Sequence, residues 1–104
     1  IVASPKRSAG VLLVTSGPDS GKSFHLGEGD NFMGRDASSG VLLSDPAVSR
    51  AHCMLRCDGN TVTVYDVGSS TGTKLDGKAV TGRPIAASDI ISLGTTEIMF
   101  VKAS

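Results

Sequence analysis

Apolar residues in this chain recur in short bursts with an interval of two, and no stretch carries the three-to-four spacing of a helix face. Thr61-Val62-Thr63-Val64-Tyr65-Asp66-Val67 alternates position by position, the pattern of a half-buried strand. Gly10-Val11-Leu12-Leu13-Val14-Thr15 is a short apolar run stopped by the turn residues Ser16-Gly17-Pro18-Asp19. The same reading predicts strands at Ser23 to Leu26, Asn31 to Arg35, Gly40 to Leu43, His52 to Cys57, Lys74-Leu75, Lys78 to Val80, Ile90 to Leu93 and Glu97 to Val101. Asp58-Gly59-Asn60 and Asp76-Gly77 are hairpin turns, because Asp-Gly tolerates the positive φ that tight turns need. Turn signals at short, regular intervals favour a sandwich or barrel over a βαβ architecture. The fold class expected is therefore all-β.

At 104 residues the chain suits one domain with one core. It does not open with Met, and it reads as a module of something longer, with Ile1 to Ala9 as a linker or tail and residues 10–104 as the folded domain. Ten basic and ten acidic residues give a formal net charge of zero, which argues against a general nucleic-acid or membrane-surface binder. Trp is absent and there is one Tyr, so a base-stacking platform is poorly supplied. No run approaches the ~20 apolar residues of a membrane span. Cys53 and Cys57 lie on one face of one strand, ~13 Å apart at ~3.3 Å per residue, too far for a disulfide. His52 falls on the opposite face from both, which removes a zinc site and leaves two buried thiols, compatible with a reducing compartment.

Two stretches imitate enzymes. Gly68-Ser69-Ser70-Thr71-Gly72 matches G-x-S-x-G, but a strand and turn follow where a hydrolase needs a helix, and both His25 and His52 precede the serine. Gly17-Pro18-Asp19-Ser20-Gly21-Lys22-Ser23 is one residue short of a phosphate-binding P-loop, and no helix follows it. Both read as turns.

Three polar clusters remain at strand ends: Gly34-Arg35, Ser49-Arg50-Ala51-His52, and Gly68-Ser69-Ser70-Thr71-Gly72-Thr73. They supply a guanidinium fork, hydroxyls and glycine backbone, which is the chemistry that holds a phosphate. None contains a nucleophile–base pair, so the chain reads as a binder with no catalytic residues.

In this order the clusters resemble the forkhead-associated (FHA) domain, a phosphothreonine-binding β-sandwich. The resemblance rests on Gly34-Arg35-Asp36, Leu43 with Asp45-Pro46, Ser49-Arg50-Ala51-His52, Asp66-Val67-Gly68-Ser69-Ser70 with Gly72-Thr73, Gly77, and Asp89-Ile90-Ile91-Ser92-Leu93-Gly94, and it spans Gly10 to Lys102. It implies a two-sheet sandwich of mainly antiparallel strands with the binding loops at one end. It further implies that Arg35, Ser49, Arg50, Ser70 and Thr71 bind the phosphopeptide, with Gly34, His52 and Gly72 supporting the loops and Lys74 enlarging the positive rim. Arg50 would act by direct contact or by its field.

The partner implied is a phosphothreonine-containing protein downstream of a Ser/Thr kinase, in a cytoplasmic or nuclear setting, with no metal, cofactor, nucleic acid or membrane. One position departs from the family. Thr71 stands where an asparagine grips the peptide backbone, and a hydroxyl cannot donate and accept with the reach of an amide. The alternative this feeds is a degenerate FHA fold serving as a phosphate-independent interaction or structural module.

Overall fold

Alternation in the sequence becomes two stacked sheets in a computed structural model that describes residues 10–102. The expected linker, residues 1–9, lies outside the described residues. The strands are β1 (Gly10–Ser16), β2 (Ser23–Leu26), β3 (Gly29–Gly34), β4 (Val41–Leu42), β5 (Cys53–Asp58), β6 (Thr61–Asp66), β7 (Thr73–Leu75), β8 (Lys78–Val80), β9 (Gly82–Ile85), β10 (Ile90–Leu93) and β11 (Thr96–Lys102). One sheet runs β2-β1-β11-β10-β7-β8 and the other β4-β3-β5-β6-β9. Every pairing is antiparallel except β3 with β4, so the expected mainly antiparallel sandwich is what forms.

Inward-facing residues of the two sheets meet in an aliphatic core. Leu12, Val14, Ile98 and Phe100 come from the paired β1 and β11, and Leu55 and Val64 sit opposite each other on β5 and β6. Each such side chain, fully buried, contributes about 1.5–3 kcal/mol. Cys53 and Cys57 belong to this core as free thiols, and burial first of all pushes Cys53 up to about 12.

Several boundaries differ from the sequence reading, and one strand was not anticipated. β4 is only two residues long, and β3 starts at Gly29 and ends before Arg35. β9 carries Pro84 beside Thr63 of β6 and lies at the sheet edge, the place where a residue without an N–H is tolerated.

The connections decide where function can sit. β6 ends in one sheet and β7 begins in the other, so residues 67–72 cross between layers. The β3–β4 and β4–β5 connections open at the same end, as backbone bonds from Arg35 N to Ser49 O and from Val67 N to His52 O show.

Candidate anion-binding rim

At the end of β3 the backbone runs against the β4–β5 connection. A Cβ on Gly34 would overlap Arg50 O and come within 2.8 Å of Arg50 C and 2.9 Å of Ser49 O, so only glycine allows this approach. Arg35 N then donates to Ser49 O at 3.2 Å and Asp36 N to Arg50 O at 3.1 Å. The exposed Arg35 side chain donates from Nε to Val48 O. That bond fixes the guanidinium plane and leaves its two terminal NH2 groups without a partner among the described residues.

Ser49 is the point where the clusters meet. Its half-buried Oγ accepts from Ser70 N at 3.0 Å, which leaves its own proton available to an outside acceptor. Below it, Ser49 N donates to His52 Nδ1 at 3.0 Å. An acceptor at Nδ1 requires the proton on Nε2, and Nε2–H accordingly donates to Gly72 O at 2.9 Å. His52 is fully buried, so it ties the second and third clusters together from beneath and does not reach the surface.

Asp66 organises the third cluster. One carboxylate oxygen accepts from Gly68 N and Ser69 N, and the other from the hydroxyls of Ser69 and Thr73. Ser69 Oγ in turn accepts from Gly72 N at 2.9 Å, where Gly72 has a φ of 84°. Burial works to raise the Asp66 pKa, but these bonds outweigh it and hold the group below the usual carboxylate range. Ser70 and Thr71 are left exposed at the tip.

The remaining predicted residues divide. Arg50 is also exposed, but its Nη2 lies 3.5 Å from Asp36 Oδ2, so its charge is shared with a carboxylate. Asp36 is held below its usual range first by the Ser38 amide and then by the Ser38 hydroxyl, ahead of Arg50. Lys74 lies on β7 opposite Ser92, in a depression that also includes Thr71 and Glu97 and sits apart from Arg35.

Two aspartates named in the sequence have a structural reach that the sequence does not show. Asp45 is buried and accepts from Ala47 N, Thr95 N, Thr95 Oγ1 and Thr96 Oγ1, so it pins the β4–β5 connection to the β10–β11 turn. Asp19, equally buried, accepts from Ser44 N and Oγ and from Lys22 Nζ. It lies inside the P-loop lookalike, and a buried carboxylate at its centre is the reverse of a phosphate cradle. An aspartate followed by turn residues marks each local bond in the sequence; the long-range partners have no such mark. Among the described residues no three His, Cys, Asp or Glu side chains converge as a metal site would need, and no helix is long and apolar enough to cross a membrane.

Known proteins share this fold. The sequence matches the family model described as inner membrane component of T3SS, cytoplasmic domain, over residues 13–104. It is 34% identical over 97 residues to the glycogen accumulation regulator GarA of Mycolicibacterium smegmatis, covering 93% of this chain and 61% of GarA. The chain thus spans about three fifths of that relative's length. A solved structure from a study of phosphothreonine-dependent FHA domain interactions superimposes with a TM-score of 0.85 at 32% identity, covering 90% of this chain and 96% of the other. The chain belongs to the FHA family. The cytoplasmic domain of the sorting platform protein PscD from P. aeruginosa matches this FHA domain with a TM-score of 0.81 at 24% identity, over 92% and 82% of the two chains, which shows the fold alone. An FHA domain is a binding module, not an enzyme, and in this one the strand β7 follows the G-x-S-x-G sequence directly.

Proposed function

We propose that the rim of this FHA domain binds phosphothreonine in a partner protein, with Arg35, Ser49 and Ser70 contacting the phosphate. The observation that carries this is their convergence on Ser49. Arg35 reaches it through a backbone bond at 3.2 Å and Ser70 through its amide at 3.0 Å, while the Arg35 terminal NH2 groups and the Ser49 and Ser70 hydroxyls donate to none of the described residues. Three charge-assisted bonds to a dianion, at about 1.5–3 kcal/mol each, make binding depend on the phosphate. Arg50 joins them after releasing Asp36, and Thr71 meets the peptide backbone with a hydroxyl in place of an amide. A Ser/Thr kinase supplies the ligand and the domain recruits the modified protein. The curated relative reported above is bacterial and the matching family model is of a cytoplasmic domain, which supports the cytoplasm over the nucleus.

Titration of a phosphothreonine peptide library and its unphosphorylated twin against wild type and Arg35→Ala tests this reading. The expected outcome is phosphate-dependent binding that drops about 100-fold in the variant, from the loss of one bidentate charge-assisted contact. Equal binding of the two peptide sets would sink it. That result would favour the second reading, a phosphate-independent assembly module, for which Thr71 and the match to a secretion-system component speak.

A further inference from the structure

One face of the five-stranded sheet packs on the core, and the other has no layer over it among the described residues. Met33, Cys53, Leu55, Val62 and Val64 point inward, so by alternation the residues between them line the outer face. There Phe32 of β3, Met54 of β5 and Tyr65 of β6 form one row across the strands. In the next row Asp30 opposes Arg56, with Oδ1 2.8 Å from Nε, and the Arg56 guanidinium lies 5.5 Å over the Tyr65 ring. In the row nearest the rim, Leu42 stands beside Gly34 on β4, and Val67 bonds through its amide to His52 O. Phe32 is 48% exposed, and with Leu42 and Val67 it makes three of the four large apolar side chains left exposed among the described residues. Exposed apolar surface is thus gathered on this face, with the aromatic, Met and Arg side chains in which interfaces are rich.

The pattern on this face is complementary to itself. A two-fold axis in the plane of the face, parallel to the strands and midway between β3 and β5, lays β3 of one copy over β5 of another. That operation sets Phe32 against Met54 of the second copy and Asp30 against its Arg56, and the reverse contacts follow by symmetry. Each arginine then lies between two carboxylates, so the two ion pairs close into one network. In the row nearest the rim, Leu42 beyond β3 meets Val67 beyond β5. Glu28 and Asp58 would oppose each other, but they lie two rows from Phe32 at the far end, where the ~30° crossing of aligned sheets separates the copies. The formal net charge of zero leaves no overall repulsion between copies. Five strands ~4.8 Å apart and six residues at ~3.4 Å bound the face at roughly 24 by 20 Å, or about 1,000 Å² over two copies, the lower edge of specific interfaces. That area supports a weak, reversible pair.

We infer that the chain forms a two-fold homodimer through the outer face of its five-stranded sheet, with the axis between β3 and β5. The axis runs along the strands and keeps their direction. The rims of both copies, past the end of β3 and before the start of β5, therefore open at the same end of the pair. Two rims are presented side by side to one partner surface. The dimer follows from the face alone and does not depend on what the rim binds.

The test is sedimentation equilibrium of wild type, Phe32→Ser, Asp30→Arg, Arg56→Asp and an equimolar mixture of the last two, at loadings up to about 1 mM. Wild type should dimerise with a Kd of about 100 µM, in keeping with its small interface. Phe32→Ser should weaken the pair about 100-fold, because symmetry removes the side chain twice. Asp30→Arg alone faces arginine with arginine and Arg56→Asp alone faces aspartate with aspartate, so each should be monomeric. In the mixture every arginine meets an aspartate, and the dimer should return as a heterodimer of the two variants. Thermal melts establish that each variant is folded. A wild type that stays monomeric throughout overturns the inference. A dimer untouched by Phe32→Ser and by both charge variants overturns it by placing the contact elsewhere, such as around Val101 on the other sheet. A mixture no more dimeric than its two components overturns the proposed axis.

Discussion

Two glycines of the rim serve different physical needs, and substitution separates them. Gly34 has an ordinary backbone angle but no room, so Gly34→Ala forces the β3 end off Arg50 and Ser49 at a cost of about 3 kcal/mol. Gly72 has open space but a φ of 84°, so Gly72→Ala pays only the left-handed penalty of about 1–2 kcal/mol. Urea denaturation of both variants checks the ranking, and a reversed order would mean that the β3 end yields easily. Asp45 offers a pH test at the same scale. Burial would raise its pKa, yet hydrogen bonds from Thr95, Ala47 and Thr96 bring it from 3.8 down to about 2. A folded-state pKa below the unfolded one means stability that is fully present above about pH 4 and is lost as pH falls through about 2. The linked amount is on the order of 2 kcal/mol. Melting wild type and Asp45→Asn between pH 5 and 2 should show the gap between them closing as the acid limit is approached; a constant gap would contradict the linkage. Of these residues the sequence marks Gly34 and Gly72 as backbone devices, and Asp45 enters there only among the residues that carry the family resemblance. The sequence cannot show that Asp45 reaches Thr95 and Thr96, because that contact exists only once the sheets have stacked.

At the scale of elements, legibility followed the turns. Asp76-Gly77 closes β7 onto β8 with positive φ at both residues, 49° and 84°, the geometry of a type I′ hairpin. The dipeptide announces that turn in the sequence, and β7 and β8 were placed by it. Gly77→Ala should cost about 1–2 kcal/mol, and in a domain of this size that lowers Tm by roughly 4–16 °C. Calorimetry of the variant checks this, and an unchanged Tm would show that the hairpin adds nothing to the sheet. β9 was invisible for the opposite reason. Gly82-Arg83-Pro84-Ile85 has neither alternation nor β-branched enrichment until its last residue, and it becomes a strand because β6 offers a free edge. β4 is two residues long because Val41 and Leu42 hold register with Met33 and Gly34 of β3, after which Leu43 N makes one more bond to Gly34 O and the chain leaves the sheet. Arg35 therefore sits in a bend just past β3, exposed and with Nε donating to Val48 O.

Across the whole molecule, the rim is assembled from both sheets and held by bonds that cross between them. The β4–β5 connection supplies Ser49 and His52, and the layer-crossing segment between β6 and β7 supplies Ser70 and Gly72. His52 joins the two with one bond from each ring nitrogen, and Asp45 joins the same connection to the β10–β11 turn of the other sheet. If the rim is the binding surface, as proposed, a surface built this way is ordered before a ligand arrives, which lowers the entropy that binding must offset. His52→Ala should then lose affinity as well as stability, because Ser49 and Ser70 are no longer held in one geometry. Val64→Ala empties a core position on β6 and should cost stability alone, about 2 kcal/mol. Measured where both variants are fully folded, phosphopeptide affinity should fall about tenfold in His52→Ala and stay at the wild-type value in Val64→Ala. Equal affinities in the two variants would mean that the rim is ordered by its ligand and not by the sheets beneath it. A loss in His52→Ala alone would place the origin of the binding site in the stacking of the two layers.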